Sequence, residues 1–338
     1  MFSQVDRQLF ARWRARPFGA VKPGPRVAIV GNCQSFGFSY GMKLFNPALQ
    51  IDRYALVSRC RADLKRLTTA LSDYDVVFSQ DFGTGLLRDD ADSEALRAAL
   101  PNIIRLPFVN FAGFHPDTVY LFDPTRAGKL IMGATGVYHS GISLFGYLRG
   151  MSVDQTEAMF NRDVFDYLGY LGVWDSAADE FLRATAAAGM DLQGDLARWA
   201  RRGNFMYTPN HPKPQIMFDI ARKAMKAAGL VAHDIEVDDY LVDDLVRGFI
   251  LPVYPPLADY YGIKGSTLFK KEHYRLSFKP GEFLTLRDHI SECFAVYARH
   301  QRPQLANPRV DAWLADEETV RGLSVLSAEA MKRKALAR

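Results

Sequence analysis

The residue best suited to covalent chemistry is Cys33, which stands in the segment GNCQ at positions 31–34. An apolar run at 26–30 predicts a buried strand before it, and a helical pattern begins at Ser35. The thiol is therefore expected at the positive end of a helix, which favours a thiolate, beside backbone N–H groups that can face an oxyanion. Cys33 is our candidate nucleophile, and the alternative is a small buried residue in a tight turn. Cys60 and Cys293 lack this setting and are interpreted as packing residues.

A cysteine nucleophile needs a proton acceptor, and the chain has seven histidines. His115 and His211 both precede a proline, which restricts the backbone and can hold the ring in a fixed direction. His139 is a weaker candidate. Asp81 and Asp117 are both candidates for orienting an imidazole, and the sequence does not choose between them.

The elements that must position these residues follow an alternating pattern. Strands are predicted at 26–30, 51–57, 75–80 and 102–106, and helices at 35–45, 62–71 and 93–100. This alternation predicts an α/β fold with a parallel sheet flanked by helices, in which ligands sit beyond the carboxyl ends of the strands. From 137 to about 230 the chain is predicted to be mostly helical, with an N-cap at Ser152 and a last helix at 215–228.

Composition and charge divide the chain further. The length of 338 residues is typical of about two domains. We predict a basic N-terminal arm (1–25), a catalytic domain (26–230) and a C-terminal appendage (231–338). Residues 1–26 hold six basic residues and one acidic residue, while the whole chain has a net charge of +4. A solvated helix is the favoured interpretation of the arm; peripheral contact with an anionic membrane surface is the alternative. The acidic stretch at 234–244 is interpreted as a solvated surface, because it lacks the spacing of a calcium loop.

Several classes of protein are disfavoured by the sequence. No apolar stretch reaches the length that spans a bilayer, and the N-terminus lacks the apolar run of a secretory signal. The three cysteines are too few and too scattered for a disulfide framework or a zinc cluster. We find no basic face or motif of the kind that binds nucleic acid. These observations favour a cytoplasmic protein that binds neither metal nor nucleic acid, with the inner face of the membrane as a further location if the arm binds lipid.

A resemblance to a known family rests on four segments in order. They are VGNCQ (30–34) after a strand, SQ (79–80) ending a later strand, FHPD (114–117), and the segment 207–212 before a helix. Together they resemble the WcbI family of capsular polysaccharide biosynthesis proteins over residues 26–230. The resemblance implies an α/β fold distantly similar to SGNH hydrolases, coenzyme A (CoA) binding, and transfer of an acetyl group from acetyl-CoA to a sugar of a surface polysaccharide.

The resemblance also assigns roles to residues. Cys33 takes the place of the SGNH serine and His211 that of the late histidine, so we favour His211 over His115 as the base. The chain departs from the SGNH pattern at Thr208, where those enzymes place an aspartate. Oxyanion or substrate contacts are predicted from side chains near the strand ends and in the His-containing segments: Asn32, Gln34, Gln80, Asp117 and Asn210. For the asparagine and glutamines near the strand ends, the alternative is that their amides satisfy loop backbone.

Coenzyme A carries several phosphate charges, so the resemblance also requires cations near the site. Arg105, Arg202 and Lys213 flank the matching segments, and the backbone at Gly31 is the fourth candidate contact. Each of these cations is equally explicable as a surface charge. The expected partner is a sugar or polysaccharide precursor.

Two other functions stay open at this point. One is an SGNH-like esterase or hydrolase, in which water replaces the sugar acceptor. The other is a carbohydrate-binding protein without catalysis, in which Tyr254, Tyr260 and Tyr261 stack on sugar rings, although packing in a core is the commoner role of such aromatics. Whether Cys33 is acylated or only positions the thioester is also open.

Overall fold

The computed structural model describes residues 2–14, 24–125, 129–240, 243, 245–273 and 282–336. The chain forms two compact units that alternate along the sequence. Unit 1 comprises Met1–Val109, Glu180–Trp199 and His211–Leu245, and unit 2 comprises Asn110–Asp179, Ala200–Asn210 and Val246–Arg338. The domain boundaries predicted at residues 25 and 230 stay predictions.

The described strands are β1 (Arg26–Gly31), β2 (Gln50–Ala55), β3 (Val76–Gln80), β4 (Ile104–Leu106), β5 (Thr118–Val119), β6 (His139–Ser140), β7 (Met206–Thr208), β8 (His211–Pro212), β9 (Phe269–Lys270) and β10 (Phe283–Leu284). The described α-helices are α1 (Gln4–Arg14), α2 (Ser35–Phe45), α3 (Leu64–Leu71), α4 (Ser93–Ala99), α5 (Gly141–Leu148), α6 (Val153–Ala158), α7 (Arg162–Tyr167), α8 (Val173–Ala187), α9 (Gln193–Arg201), α10 (Pro214–Ala227), α11 (Pro255–Tyr261), α12 (Leu286–Tyr297), α13 (Pro308–Ala315) and α14 (Glu317–Leu336). Short 3-10 helices cover Ala112–Phe114, Tyr170–Gly172, Asp238–Tyr240, Leu245–Arg247 and Arg302–Leu305.

Unit 1 is built on a parallel sheet. Over the described residues this sheet has four strands in the order β2-β1-β3-β4, and Val27 of the central strand β1 is in register with Ile51 and Val76. The apolar residues of β1 are fully buried, as expected for a strand covered on both faces. The predicted α/β class, the strand and helix order, and the mostly helical second half are confirmed.

Local sequence explains where the helices of unit 1 begin. The carboxylates of Asp63 and Asp92 each accept a backbone N–H in the first turn of α3 and α4, which satisfies donors that a helix start leaves unpaired. Helix α2 begins differently, with Gln34 at its N-cap position and no side-chain cap. The start of α2 is therefore held by contacts outside the helix, which belong to the candidate site described below.

The start of the basic arm is part of unit 1. Val5 and Leu9 of α1 are buried in the same apolar cluster as Tyr54 and Leu67. The carboxylate of Asp6 accepts the backbone N–H of a residue 55 positions away, which ties α1 to that unit. Residues 15–23 of the predicted arm lie outside the described residues. No described helix is long and apolar enough to cross a membrane.

Unit 2 is largely helical, and its aromatic residues pack closely on one another. Phe111 contacts Trp174 at 5.0 Å between ring centroids and Phe205 at 4.9 Å. Helix α6 begins with a capping box, since Ser152 and Gln155 each accept the backbone N–H of the other. This confirms the predicted N-cap at Ser152.

Candidate active site

Cys33 and His211 face each other in unit 1. Strand β1 ends at Gly31 and α2 begins at Ser35, so Cys33 stands on the turn that joins them. Its Sγ lies 3.4 Å from Nε2 of His211, which is 178 positions away in sequence. Both side chains are half-buried. The structure thus brings together the predicted nucleophile and the preferred base at hydrogen-bond distance.

Two fully buried glutamines hold this turn in place. Nε2 of Gln80, at the end of β3, donates to Oε1 of Gln34 and to the backbone carbonyl of Pro107. Gln34 in turn donates to the carbonyl of Val109 and accepts its N–H. Because an unpaired buried amide is costly, this closed network fixes the turn against the end of the sheet.

The backbone of the turn is held by the same amides. The N–H of Asn32 donates to Oε1 of Gln80 at 3.1 Å, and the N–H of Gln34 donates to Oδ1 of Asn32 at 2.8 Å. Gly31 is needed here, because a Cβ at this position would lie 2.4 Å from Oε1 of Gln80. In the structure these residues shape the turn that carries Cys33. Their predicted oxyanion, substrate or CoA contacts stay predictions.

The place of His211 is set by the packing of α10 on α2. His211 belongs to β8, shortly before α10 begins. The two helices approach closely at glycines of α2: a Cβ at Gly41 would lie 2.8 Å from Cδ1 of Phe218, and Gly37 makes a similarly close approach. Side chains at these glycines would push α10 away from α2, and α2 follows the turn that holds Cys33. The close helix packing is therefore what allows the imidazole to reach the thiol.

Burial determines the protonation of the pair. Burial raises the pKa of the Cys33 thiol, and this outweighs the backbone N–H groups of Cys33 and Gln34, which lower that pKa. Burial lowers the pKa of His211 to about 4. At neutral pH the resting pair is therefore a thiol beside a neutral imidazole. The thiolate expected from the helix terminus is not the resting form, because desolvation has the larger effect.

His115 and Asp117 lie in unit 2 and are both buried. Nε2 of His115 lies 3.2 Å from the backbone carbonyl of Leu251. Oδ1 of Asp117 accepts the backbone N–H of Ile142, in the first turn of α5, and the hydroxyl of Tyr170. Burial raises the pKa of Asp117 to about 6, although these hydrogen bonds act in the opposite direction. The carboxylate of Asp117 therefore satisfies a backbone N–H in the first turn of α5.

The segment just before His211 is also in unit 2. Oδ1 of Asn210 accepts the hydroxyl of Tyr138 at 2.6 Å and that of Thr208 at 3.1 Å. Thr208 is fully buried. Its hydroxyl fixes the Asn210 side chain.

The predicted CoA-binding cations have different surroundings. In unit 1, the guanidinium of Arg105 donates to the carboxylate of Asp81 at 2.7 Å and to the carbonyl of Ala187 at 2.6 Å. Asp81, one of the two residues considered for orienting an imidazole, is thus in an ion pair. Lys213 is half-buried at the N-cap of α10, and burial lowers its pKa. Arg202 is exposed in unit 2.

Among the described residues no group of three or more His, Cys, Asp or Glu side chains is placed to hold a metal ion.

Two features of the site were missed from sequence. The Arg53 guanidinium lies 3.6 Å from the ring centroid of Phe36, in the first turn of α2, which puts a cation beside the helix that follows Cys33. The sequence signal that could have pointed to this cation is the position of Arg53 inside the strand predicted at 51–57. The second feature is the pair Gly37 and Gly41, whose spacing of four residues places both on one face of α2.

Comparisons with known proteins agree with the motifs. A family model described as polysaccharide biosynthesis enzyme WcbI matches residues 26–233. No curated protein sequence gives a significant match. A solved structure of WcbI, described as a novel polysaccharide biosynthesis enzyme in its native form without a disulfide bond between CoA and a cysteine, is similar in fold, with a TM-score of 0.56 and 13% identity over 90% of this chain and 99% of that one. Because the family model matches more than half of its length, this chain belongs to the WcbI family of polysaccharide biosynthesis enzymes.

Proposed function

We propose that the protein is a coenzyme A-dependent acetyltransferase that moves an acetyl group to a sugar hydroxyl of a capsular or other surface polysaccharide. The observation that carries this proposal is the distance of 3.4 Å between Sγ of Cys33, which lies on a strand-to-helix turn, and Nε2 of His211. A thiol beside an imidazole at such a turn is suited to acyl transfer. The turn takes the place of the serine turn in SGNH hydrolases.

His211 is the general base of this proposal. A base must be neutral to accept a proton, and a pKa of about 4 keeps His211 neutral throughout the physiological range. In direct transfer, His211 removes the proton of the sugar hydroxyl as its oxygen attacks the acetyl carbonyl, and then returns that proton to the departing sulfur of coenzyme A. Cys33 positions the thioester in this route.

A covalent route uses the same two residues. His211 takes the proton of Cys33, and the thiolate attacks the acetyl carbonyl. The bond between the acetyl carbon and the sulfur of coenzyme A then breaks, and His211 returns the proton to the departing coenzyme A thiolate, which leaves acetyl-Cys33. The sugar hydroxyl attacks this thioester while His211 removes its proton, and His211 passes that proton to the Cys33 thiolate as it departs. The raised pKa of Cys33 makes the thiolate costly, so this route depends on proton transfer to His211 at the moment of attack.

Coenzyme A fits the chemistry of this pair and its surroundings. A half-buried, reduced thiol is a suitable neighbour for a thiol or thioester ligand. The description of the similar WcbI structure names a disulfide bond between coenzyme A and a cysteine, from which that native form is free. Lys213 lies two positions after His211, and Arg53 lies beside the first turn of α2. We propose these two cations as contacts for the phosphates. The contacts predicted from sequence for Arg105 and Arg202 stay predictions.

Calorimetry with coenzyme A tests the proposal first, on the wild type and on Cys33→Ala, with Cys60→Ala as the control for loss of a thiol. Cys60 is buried, and its Sγ donates to the backbone carbonyl of Ala62 at 3.6 Å. A ligand at 100 times its Kd should stabilise the fold by about 2.7 kcal/mol in a thermal shift. If millimolar coenzyme A neither binds nor shifts the melting temperature, the proposed acetyltransferase activity is refuted.

Mass spectrometry after an acid quench separates the two routes. Acetyl-CoA should leave an acetyl group on Cys33 if the route is covalent, and this adduct should accumulate in the absence of an acceptor sugar. Direct transfer predicts no adduct but retained turnover with an acceptor. Steady consumption of acetyl-CoA that no sugar accelerates would identify a hydrolase instead.

A further inference from the structure

A pocket lined by aromatic side chains lies entirely within unit 2. Its volume is about 370 Å³, within the range of ligand-binding pockets. Phe114, Trp174, Tyr260 and Tyr261 supply its rings, and Asp175 supplies a carboxylate. The catalytic pair belongs to unit 1, and none of the residues that line this pocket takes part in the chemistry described above.

The aromatic walls of the pocket are held rigidly. Trp174 packs edge to face on Phe114 at 5.5 Å and on Tyr261 at 5.3 Å between ring centroids. The hydroxyl of Tyr261 donates to the carbonyl of Gly113 at 3.1 Å, which fixes that ring further. Tyr260 remains 53% exposed while it contacts Tyr261. Ring faces held in this way can receive the apolar face of a ligand at little cost in side-chain entropy.

The polar groups at the pocket favour a neutral ligand that carries hydroxyls. Asp175 is the charged residue among the lining side chains, and a carboxylate repels the phosphates of a nucleotide or of coenzyme A. Within the described residues the indole N–H of Trp174 donates to no acceptor, so it is available to a ligand hydroxyl. The carboxylate of Asp175 can accept a hydroxyl from the same ligand. Consistent with its proximity, Asp175 adds to burial and Tyr260 in raising the pKa of Tyr261 to about 12.

We infer that this pocket binds a neutral pyranose ring, with the apolar face of the sugar on the aromatic rings and its hydroxyls on Trp174 and Asp175. The inference rests on the proposed function, because a transferase of this kind has a sugar as its acceptor. Of the three tyrosines considered for stacking from sequence, Tyr260 and Tyr261 line the pocket. Tyr254 does not qualify, because it is buried against Phe160 and other rings.

Saturation-transfer difference NMR tests the inference with three probes: methyl α-D-mannopyranoside, methyl β-D-glucopyranoside and methyl β-D-galactopyranoside. At least one should receive saturation from the full-length protein. Tyr260→Ser, which changes an exposed side chain, should weaken that binding by about 3- to 10-fold because one stacking face is lost. Asp175→Asn should weaken it because a charged acceptor is lost. The control is Tyr240→Ser, an equally exposed tyrosine of unit 1, which should bind as the wild type does.

Absence of saturation transfer to all three glycosides would overturn the inference, as would unchanged binding in Tyr260→Ser and Asp175→Asn. Adenosine that binds the wild type but not Tyr260→Ser would assign the pocket to a nucleobase and overturn it too. Coenzyme A affinity, measured on the same samples, separates this inference from the proposed function. Coenzyme A binding without glycoside binding refutes the sugar pocket alone, and glycoside binding without coenzyme A binding refutes the transferase alone.

Discussion

The titration of His211 is the sharpest test of the proposed base. Burial lowers its pKa to about 4, whereas a solvated imidazole titrates at about 6.5. At pH 5.5 an imidazole with the ordinary pKa would be neutral in about one molecule in ten, but with a pKa of about 4 nearly all molecules are neutral. A rate that needs neutral His211 should therefore be about tenfold higher at pH 5.5 than an ordinary histidine would permit. The rate should fall only as the pH approaches 4.

Two measurements follow this titration. Long-range ¹H–¹⁵N correlation spectra between pH 4 and 8 report each imidazole, and the signal that is missing in His211→Asn identifies the residue. The pH dependence of kcat/KM for release of coenzyme A from acetyl-CoA, detected with a disulfide reagent that reacts in acid, reports the base in the free enzyme. Circular dichroism at each pH confirms that the protein stays folded.

A midpoint near pH 6.5 in the His211 signal would refute the argument that burial controls this residue. A signal that titrates near pH 4, together with activity that is lost between pH 7 and 6, would show that another group is the base. His211→Asn should then keep most of its turnover. If His211 is the base, this substitution should instead lower turnover by about 10²- to 10⁴-fold and leave coenzyme A affinity nearly unchanged, and His115→Asn should have the smaller effect on turnover.

Three further predictions follow from buried contacts. Gly41→Ala should lower turnover by about 10- to 100-fold, because its Cβ would stand 2.8 Å from Phe218 and displace α10 with the histidine before it, whereas Gly83→Ala, with no atom within 4 Å, should match the wild type. Asp117→Asn should become more stable relative to the wild type as the pH rises from about 4 to 6, because a pKa raised to about 6 makes the buried carboxylate costly, by up to about 1.4 kcal/mol per pH unit in urea unfolding. A constant difference would contradict this assignment. His289→Gln should show the opposite trend, since a pKa lowered to about 3 makes the wild type lose stability relative to the variant as the pH falls below 6.5; parallel pH profiles would show that His289 does not titrate on unfolding.

Sequence patterns were sufficient for the sheet because its signals are local. The buried run that became β1 and the alternation of strands with helices depend on neighbouring residues, and α2 begins at Ser35 as predicted. The turn with Cys33 follows from that alternation, because only three residues separate the end of the strand at Gly31 from the start of the helix at Ser35. The motif order also sufficed to suggest the family.

The tertiary structure decided which partners these residues meet. The residues around Cys33 in sequence do not predict that its Sγ lies 3.4 Å from Nε2 of His211, which is 178 positions away. That distance depends on the packing of α10 on the glycines of α2. Gln34 and Gln80 meet in a buried hydrogen bond although 46 positions separate them in sequence. Burial also reversed the expected charge state of the thiol. Desolvation and long-range pairing depend on what surrounds a side chain in space, and sequence spacing does not record that.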